Sequence, residues 1–129
     1  MKRLILTTAV LAASLLTACA YHEYPVRPAL VNHPVFITLN DPADVDECTA
    51  DCDRLLATIP GVVSYYCGTP LDTGRDTVDT NYHVGLYLGF NSVEDYNAYV
   101  THPQHVATVE KWKPRIKVLM IRDVIDETP

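Results

Sequence analysis

Positive charge is scarce in this chain. Ten Lys and Arg stand against sixteen Asp and Glu, a formal net charge of −6. Nucleic acid demands clustered cations, so no nucleic-acid partner is expected. The one basic cluster, Lys111, Lys113, Arg115 and Lys117, falls in and just before a predicted strand and reads as a solvated edge. No motif for a nucleotide, flavin or haem occurs, so no cofactor is expected. Cysteines number four, and no histidine stands at ligand spacing from them, which argues against zinc; no metal is expected, with a transition metal on gathered imidazoles as the lesser alternative. Long apolar runs are also few. The one at Leu4–Leu16 is short for a membrane span and suits a secretory signal behind the basic Lys2 and Arg3.

That run ends in Leu16-Thr17-Ala18-Cys19, which resembles a bacterial lipobox. The resemblance implies cleavage before Cys19 and lipidation of its thiol; cleavage after Ala18 or Ala20 without lipid, or an uncleaved anchor, are the other readings. No Asp follows Cys19 as an inner-membrane retention signal, so the expected place is an exported, membrane-anchored lipoprotein, on the outer membrane if the cell has two. Without Lys2 and Arg3 the mature chain is more acidic still. The expected organisation is a signal peptide over 1–18, a lipid-anchored tether over 19–31, and one domain over 32–129. A domain of that length has a modest core and is often helped by association.

Three cysteines remain inside the domain, in what export would make an oxidising compartment. Cys48 and Cys52 stand four apart on a predicted helix, in register with Leu55, Leu56 and Ile59. Cys67 ends the strand that returns along it. From the rise of helix and strand, Cys67 comes back level with Cys48. Cys48–Cys67 is therefore the first disulfide candidate and Cys52–Cys67 the second, with three buried thiols as the alternative.

Residues 33–40 alternate around Val35, Ile37 and Leu39 and read as a strand. Asp41-Pro42-Ala43-Asp44 turns the chain into helical spacing over 44–58, which Pro60-Gly61 ends. A second strand follows at about 62–68, then a polar loop over 69–80. In 82–90, Tyr82, Val84, Leu86, Leu88 and Phe90 share one face and His83, Gly85, Tyr87 and Gly89 the other. Ser92 caps a helix that stops near Thr101, because the residue before Pro103 avoids α space. A short helix over 103–111, a strand over 116–123 and a frayed tail complete the chain. The order β-α-β-β-α-β, with its second helix split, is the ferredoxin-like α+β arrangement. Strands apolar on both faces need cover on both. The chain's own helices supply one cover, and the other calls for a homodimer through sheet faces.

Several segments together resemble the stress-responsive A/B barrel (Dabb) family of dimeric α/β barrels. They are His33, Ile59-Pro60-Gly61-Val62, Gly68-Thr69-Pro70, the run from Thr73 to Tyr82, the run from Phe90 to Tyr96, and Tyr99 with His102-Pro103-Gln104-His105. The resemblance spans about 33–123 and implies a dimer of sheets. A plant polyketide cyclase of this family has its catalytic histidine at the place of His105 and its catalytic tyrosine at that of Tyr99, with pocket histidines at His33 and His83. What this implies here is a His105 imidazole taking a proton from carbon beside a carbonyl, with the Tyr99 hydroxyl holding the oxygen. The residues alone leave three readings of the pair: a hydrogen-bonded brace for the 101–105 turn, a grip on a small-molecule ligand, or a catalytic pair. His33, His83, Tyr87 and His102 are the further pocket candidates, although His102 before Pro103 also reads as a helix cap. Arg75, Asp76 and Asp79 suggest a loop tied by an Arg–Asp pair, or else a lid.

Overall fold

The computed structural model describes residues 27–127, so the expected signal and the lipid site at Cys19 lie outside the described residues. Strand β1 (Val31–Leu39) is the centre of the sheet, and its burial alternates strictly along its length. Val31, His33, Val35, Ile37 and Leu39 point to the helices. Asn32, Pro34, Phe36 and Thr38 point the other way. The strand begins two residues before the 33–40 expectation and ends one earlier.

Asp41 accepts the amide of Ala43 at 2.9 Å and starts a 3-10 turn over Pro42–Asp44, with the proline where no donor is needed. Helix α1 (Val45–Asp51) follows and winds into a π turn over Cys52–Leu56, closed by the Ala57 amide on the Cys52 carbonyl at 3.3 Å. The wider turn keeps both Cys52 and Leu56 buried. Gly61 then takes φ +93, which a side-chain-bearing residue rarely adopts, and the chain reverses into β2 (Val62–Gly68).

Strand β3 (Val84–Phe90) is buried along its entire length. It starts at Val84 rather than at 82. Tyr82 instead turns its ring edge-on to Phe36 at 4.9 Å, on the outer face of the sheet. A side chain at Gly89 would collide with Ser64 and Ala29, so glycine there is a packing requirement. Ser92 caps α2 (Val93–Thr101), accepting the Asp95 amide at 3.0 Å. The break at His102-Pro103 opens α3 (Pro103–Trp112), where His102 is itself the cap: its Nδ1 accepts the Gln104 amide at 3.2 Å. A 3-10 turn (Lys113–Arg115) leads into β4 (Ile116–Ile121). The tail, expected to fray, instead forms β5 (Val124–Ile125), paired with Val31 and Asn32.

The sheet order is β2-β3-β1-β4, all pairs antiparallel, with β5 added beside the start of β1. This is the ferredoxin-like fold that the element order predicts. Helices cover one face only. The core between the layers is built from Leu39, Cys48, Val84, Leu88, Phe90 and Tyr99, each almost fully buried. Trp112 anchors α3: its indole donates to Asp51 at 3.0 Å, and the guanidinium of Arg115 lies 4.2 Å from its ring centre. The outer face is left uncovered, with Tyr66 58 % exposed and Val118 and Met120 also exposed.

Candidate functional site

A cavity of about 490 Å³ opens between the helical layer and the sheet, under β1 and β4. Its walls are apolar: Val35, Ile37, Leu86, Leu119 and Ile121 from the sheet, and Leu56, Val109 and Trp112 from the helical side. Strand β4 is at the sheet edge and no helix lies over it, so Leu119 and Ile121 stay about half exposed although they face the helical side. The space exists because the α1 and α3 layer stops short of that edge.

Three of the expected residues meet at one end of it. Tyr99, on α2, is 1 % exposed, and its ring lies 4.6 Å from that of His105 and 6.1 Å from that of His33. All three line the cavity. The Tyr99 hydroxyl makes no hydrogen bond among the described residues. Burial pushes its phenol well above the ordinary value, so it remains a donor across the accessible pH range.

The His105 Nδ1 lies 2.9 Å from the Val100 carbonyl. A carbonyl can only accept, so Nδ1 carries the proton and Nε2 keeps its lone pair. Burial lowers the imidazole pKa below 6.5, outweighing the Val100 carbonyl, so the neutral ring prevails at neutral pH. Nε2 has no partner among the described residues. His33 is tied the same way, its Nδ1 donating to Asp123 at 2.5 Å, while the Tyr96 hydroxyl donates to the other oxygen of that carboxylate at 2.9 Å. This corner therefore offers one hydroxyl donor, the lone pair of His105 Nε2 and a second imidazole, a set able to hold a carbonyl or hydroxyl and to move a proton.

The other pocket candidates lie elsewhere. His83 braces β1: its amide donates to Ile37 at 2.8 Å and its Nδ1 accepts from the Leu39 amide at 3.1 Å. Tyr87 lies on the outer face, its hydroxyl donating to Asn32 at 2.6 Å and its ring stacked on Tyr66 at 4.9 Å. The reason is register. His33 pairs with Leu88, which puts the Val84–Leu86–Leu88 face on the cavity side and the Gly85–Tyr87–Gly89 face outside. His102 is a helix cap and does not line the cavity. The 69–83 loop forms no lid either. Its Asp79, Asn81 and Tyr82 edge a small groove on the outer face, and Arg75 makes no ion pair among the described residues.

The cysteines are free, so the Cys48–Cys67 bond is not formed. Cys52 stands between the other two. Hydrogen bonding to Cys48 and Cys67, with burial, pushes its thiol up, while contact with Cys52 holds theirs down. Among the described residues no group of His, Cys, Asp and Glu is arranged to hold a metal ion.

Asp123 and Thr108 went unremarked in the sequence, and Lys113 and Lys117, expected there as a solvated edge, line the cavity. Asp123 lies ninety positions from His33, and only the pairing of β4 and β5 with β1 joins them. The alternation that would have excluded His83 and Tyr87 was visible, but which face bears the cavity was not.

A family model described as Stress responsive A/B Barrel Domain matches residues 31–126. No protein of curated function is similar in sequence. Among solved structures, a Dabb family protein with a ferredoxin-like fold from Mesorhizobium loti is 24% identical, with a TM-score of 0.64 over 76% of this chain and 97% of that one. A dimeric ferredoxin-like protein of unknown function from Thermobifida fusca is 21% identical, with a TM-score of 0.63 over 82% and 100%. The hydroxynitrile lyase of Passiflora edulis is 20% identical, with a TM-score of 0.66 over 80% and 99%. At these identities the likeness is one of fold.

Proposed function

Because this chain belongs to the stress responsive A/B barrel domain family, we propose that it is a homodimeric module that binds a small, mostly apolar molecule between its sheet and helices. The observation that carries this reading is the cavity itself: about 490 Å³, apolar-walled, with the Tyr99 hydroxyl and the His105 Nε2 unpartnered at one end. A ligand of that kind gains from leaving water along the walls and is oriented by the few polar atoms. The neutral fluorophore N-phenyl-1-naphthylamine fits such a space. Micromolar binding by the purified full chain, lost when Leu119→Trp fills the cavity, is the expected result. Equal binding by that variant contradicts the reading.

The dimer rests on the uncovered outer face, where Phe36, Tyr66, Tyr82, Val118 and Met120 are gathered. Solved relatives described as dimeric support it. The lipobox at Cys19 adds a membrane anchor on the exported side; a protein that takes up no labelled palmitate would remove that part.

A second reading is favoured by the fixed tautomer of His105. With Nδ1 held by Val100, Nε2 is placed as a general base. It would take a proton from carbon beside a ketone, with Tyr99 donating to the enolate oxygen. The enolate carbon would then attack a second carbonyl of the same molecule, and the resulting alkoxide would take the proton back from His105. In this reading the chain is a cyclase-like enzyme acting on a polyketone.

A further inference from the structure

The segment from Lys111 to Lys117 carries four cations, and the structure divides them into two pairs. Lys111 and Arg115 are held by carboxylates of the first helical segment. Lys111 reaches Glu47 at 2.8 Å and Asp51 at 2.5 Å, and Arg115 reaches Asp44 at 2.5 Å and Glu47 at 2.8 Å. Lys113 and Lys117 have no ion pair among the described residues, and both line the cavity. In a protein of net charge −6, unpaired cations would ordinarily find an acid. No Asp or Glu lines this cavity; Asp51, bonded to the lining Trp112, is occupied by Arg54 and Lys111, and Asp123 at the far corner is occupied by His33 and Tyr96.

The placement of Lys117 has its own cause. Between Thr38, opposite Val118, and Leu39, opposite Ile116, the β1–β4 register shifts, and Lys117 is the extra residue of a bulge. Bulges re-aim side chains. Here Ile116 and Lys117, adjacent in sequence, both line the cavity.

The two lysines and the Tyr99 corner lie at opposite ends. Along β1, His33 and Thr38 are separated by roughly 17 Å; along α3, His105 and Lys113 by roughly 12 Å. The walls between them are apolar. We propose that the cavity is built for an elongated apolar monoanion, its charged end between Lys113 and Lys117 and its other end at Tyr99 and His105. This rests on the small-molecule reading above and names the ligand class for it: an amphiphile with one carboxylate or comparable anion, on the order of 12 Å long.

A matched pair of probes separates the two claims. 1-Anilinonaphthalene-8-sulfonate is N-phenyl-1-naphthylamine with one added sulfonate. At low ionic strength the purified full chain should bind the sulfonate roughly fivefold more tightly than the neutral probe, the scale of two partly exposed charge contacts. The preference should shrink in high salt. Lys113→Met/Lys117→Met keeps the aliphatic stems and should abolish the preference, read as the ratio of the two affinities within that one variant, while the melting temperature holds. Equal affinity for the two probes, or a preference that survives the double variant, overturns the anion site and leaves the cavity reading standing. Binding of neither probe overturns both.

Discussion

Tyr99 and His105 owe their chemistry to what their neighbours leave free. Val100 takes the Nδ1 proton of His105, and the core takes the ring of Tyr99 but not its hydroxyl. A pH dependence follows. Burial lowers the folded-state pKa of His105 beneath 6.5, so Nε2 is unprotonated at neutral pH and gains a proton only on the acid side of that value. If His105 acts as a base, exchange of the α-deuterium of a simple aryl ketone such as acetophenone should be level near neutrality. It should fall in acid with a midpoint below about 6.5 and disappear in His105→Gln. Exchange that is unaffected by the substitution contradicts a base at this position. The pair could be singled out from the sequence because a tyrosine, a helix break and His-Pro-x-His stand close together. The unpartnered hydroxyl could not, because it depends on which neighbours are absent in space. His33 lines the cavity, whereas His83 and Tyr87, expected beside it, stand on a face that register sends outward.

Among the elements, the first helical segment is the one most dependent on charge. Asp51 is buried and accepts from Arg54, Lys111 and Trp112, tying this segment to α3. Burial raises its pKa, but those donors together hold it below the ordinary carboxylate value. Glu47 is held down to about 2, first by Arg115 and then by Lys111. A lowered folded-state pKa means that the stabilisation is complete above the unfolded value near 4 and is lost as pH falls through the folded one. Acid unfolding should therefore set in below about pH 4. Asp51→Asn should cost about 2–3 kcal/mol in urea titration at pH 7, the scale of lost charge-assisted hydrogen bonds. A variant as stable as the parent would show that this network does not hold α3. Element types were readable because their causes are local: Asp41 and Ser92 as caps, Pro103 as a break, Gly61 as a turn. The π turn over Cys52–Leu56, the bulge at Lys117 and β5 were not, since each answers to a neighbouring strand or to packing rather than to its own residues.

At the scale of the molecule, two faces of one sheet have different fates. The inner face meets the helices and keeps a cavity where they end. The outer face, with Tyr66 stacked on Tyr87 and Val118 and Met120 exposed, has no cover of its own. Light scattering of detergent-free protein lacking the segment through Cys19 should give about twice the mass of that shortened chain, and Met120→Glu should shift it toward the monomer. A parent protein that is already monomeric at micromolar concentration refutes the dimer. The sequence implied this face through strands apolar on both sides, but not which side would hold the ligand. The free hydroxyl of Tyr99 is placed to receive a ligand's carbonyl in the cavity. Calorimetric titration of the apolar ketone 1-acetonaphthone into the parent and into Tyr99→Phe tests it most directly. That hydroxyl has no partner within the fold, so the variant should melt with the parent yet bind the ketone roughly fivefold more weakly, the scale of one hydrogen bond. Unchanged affinity in Tyr99→Phe would contradict the account.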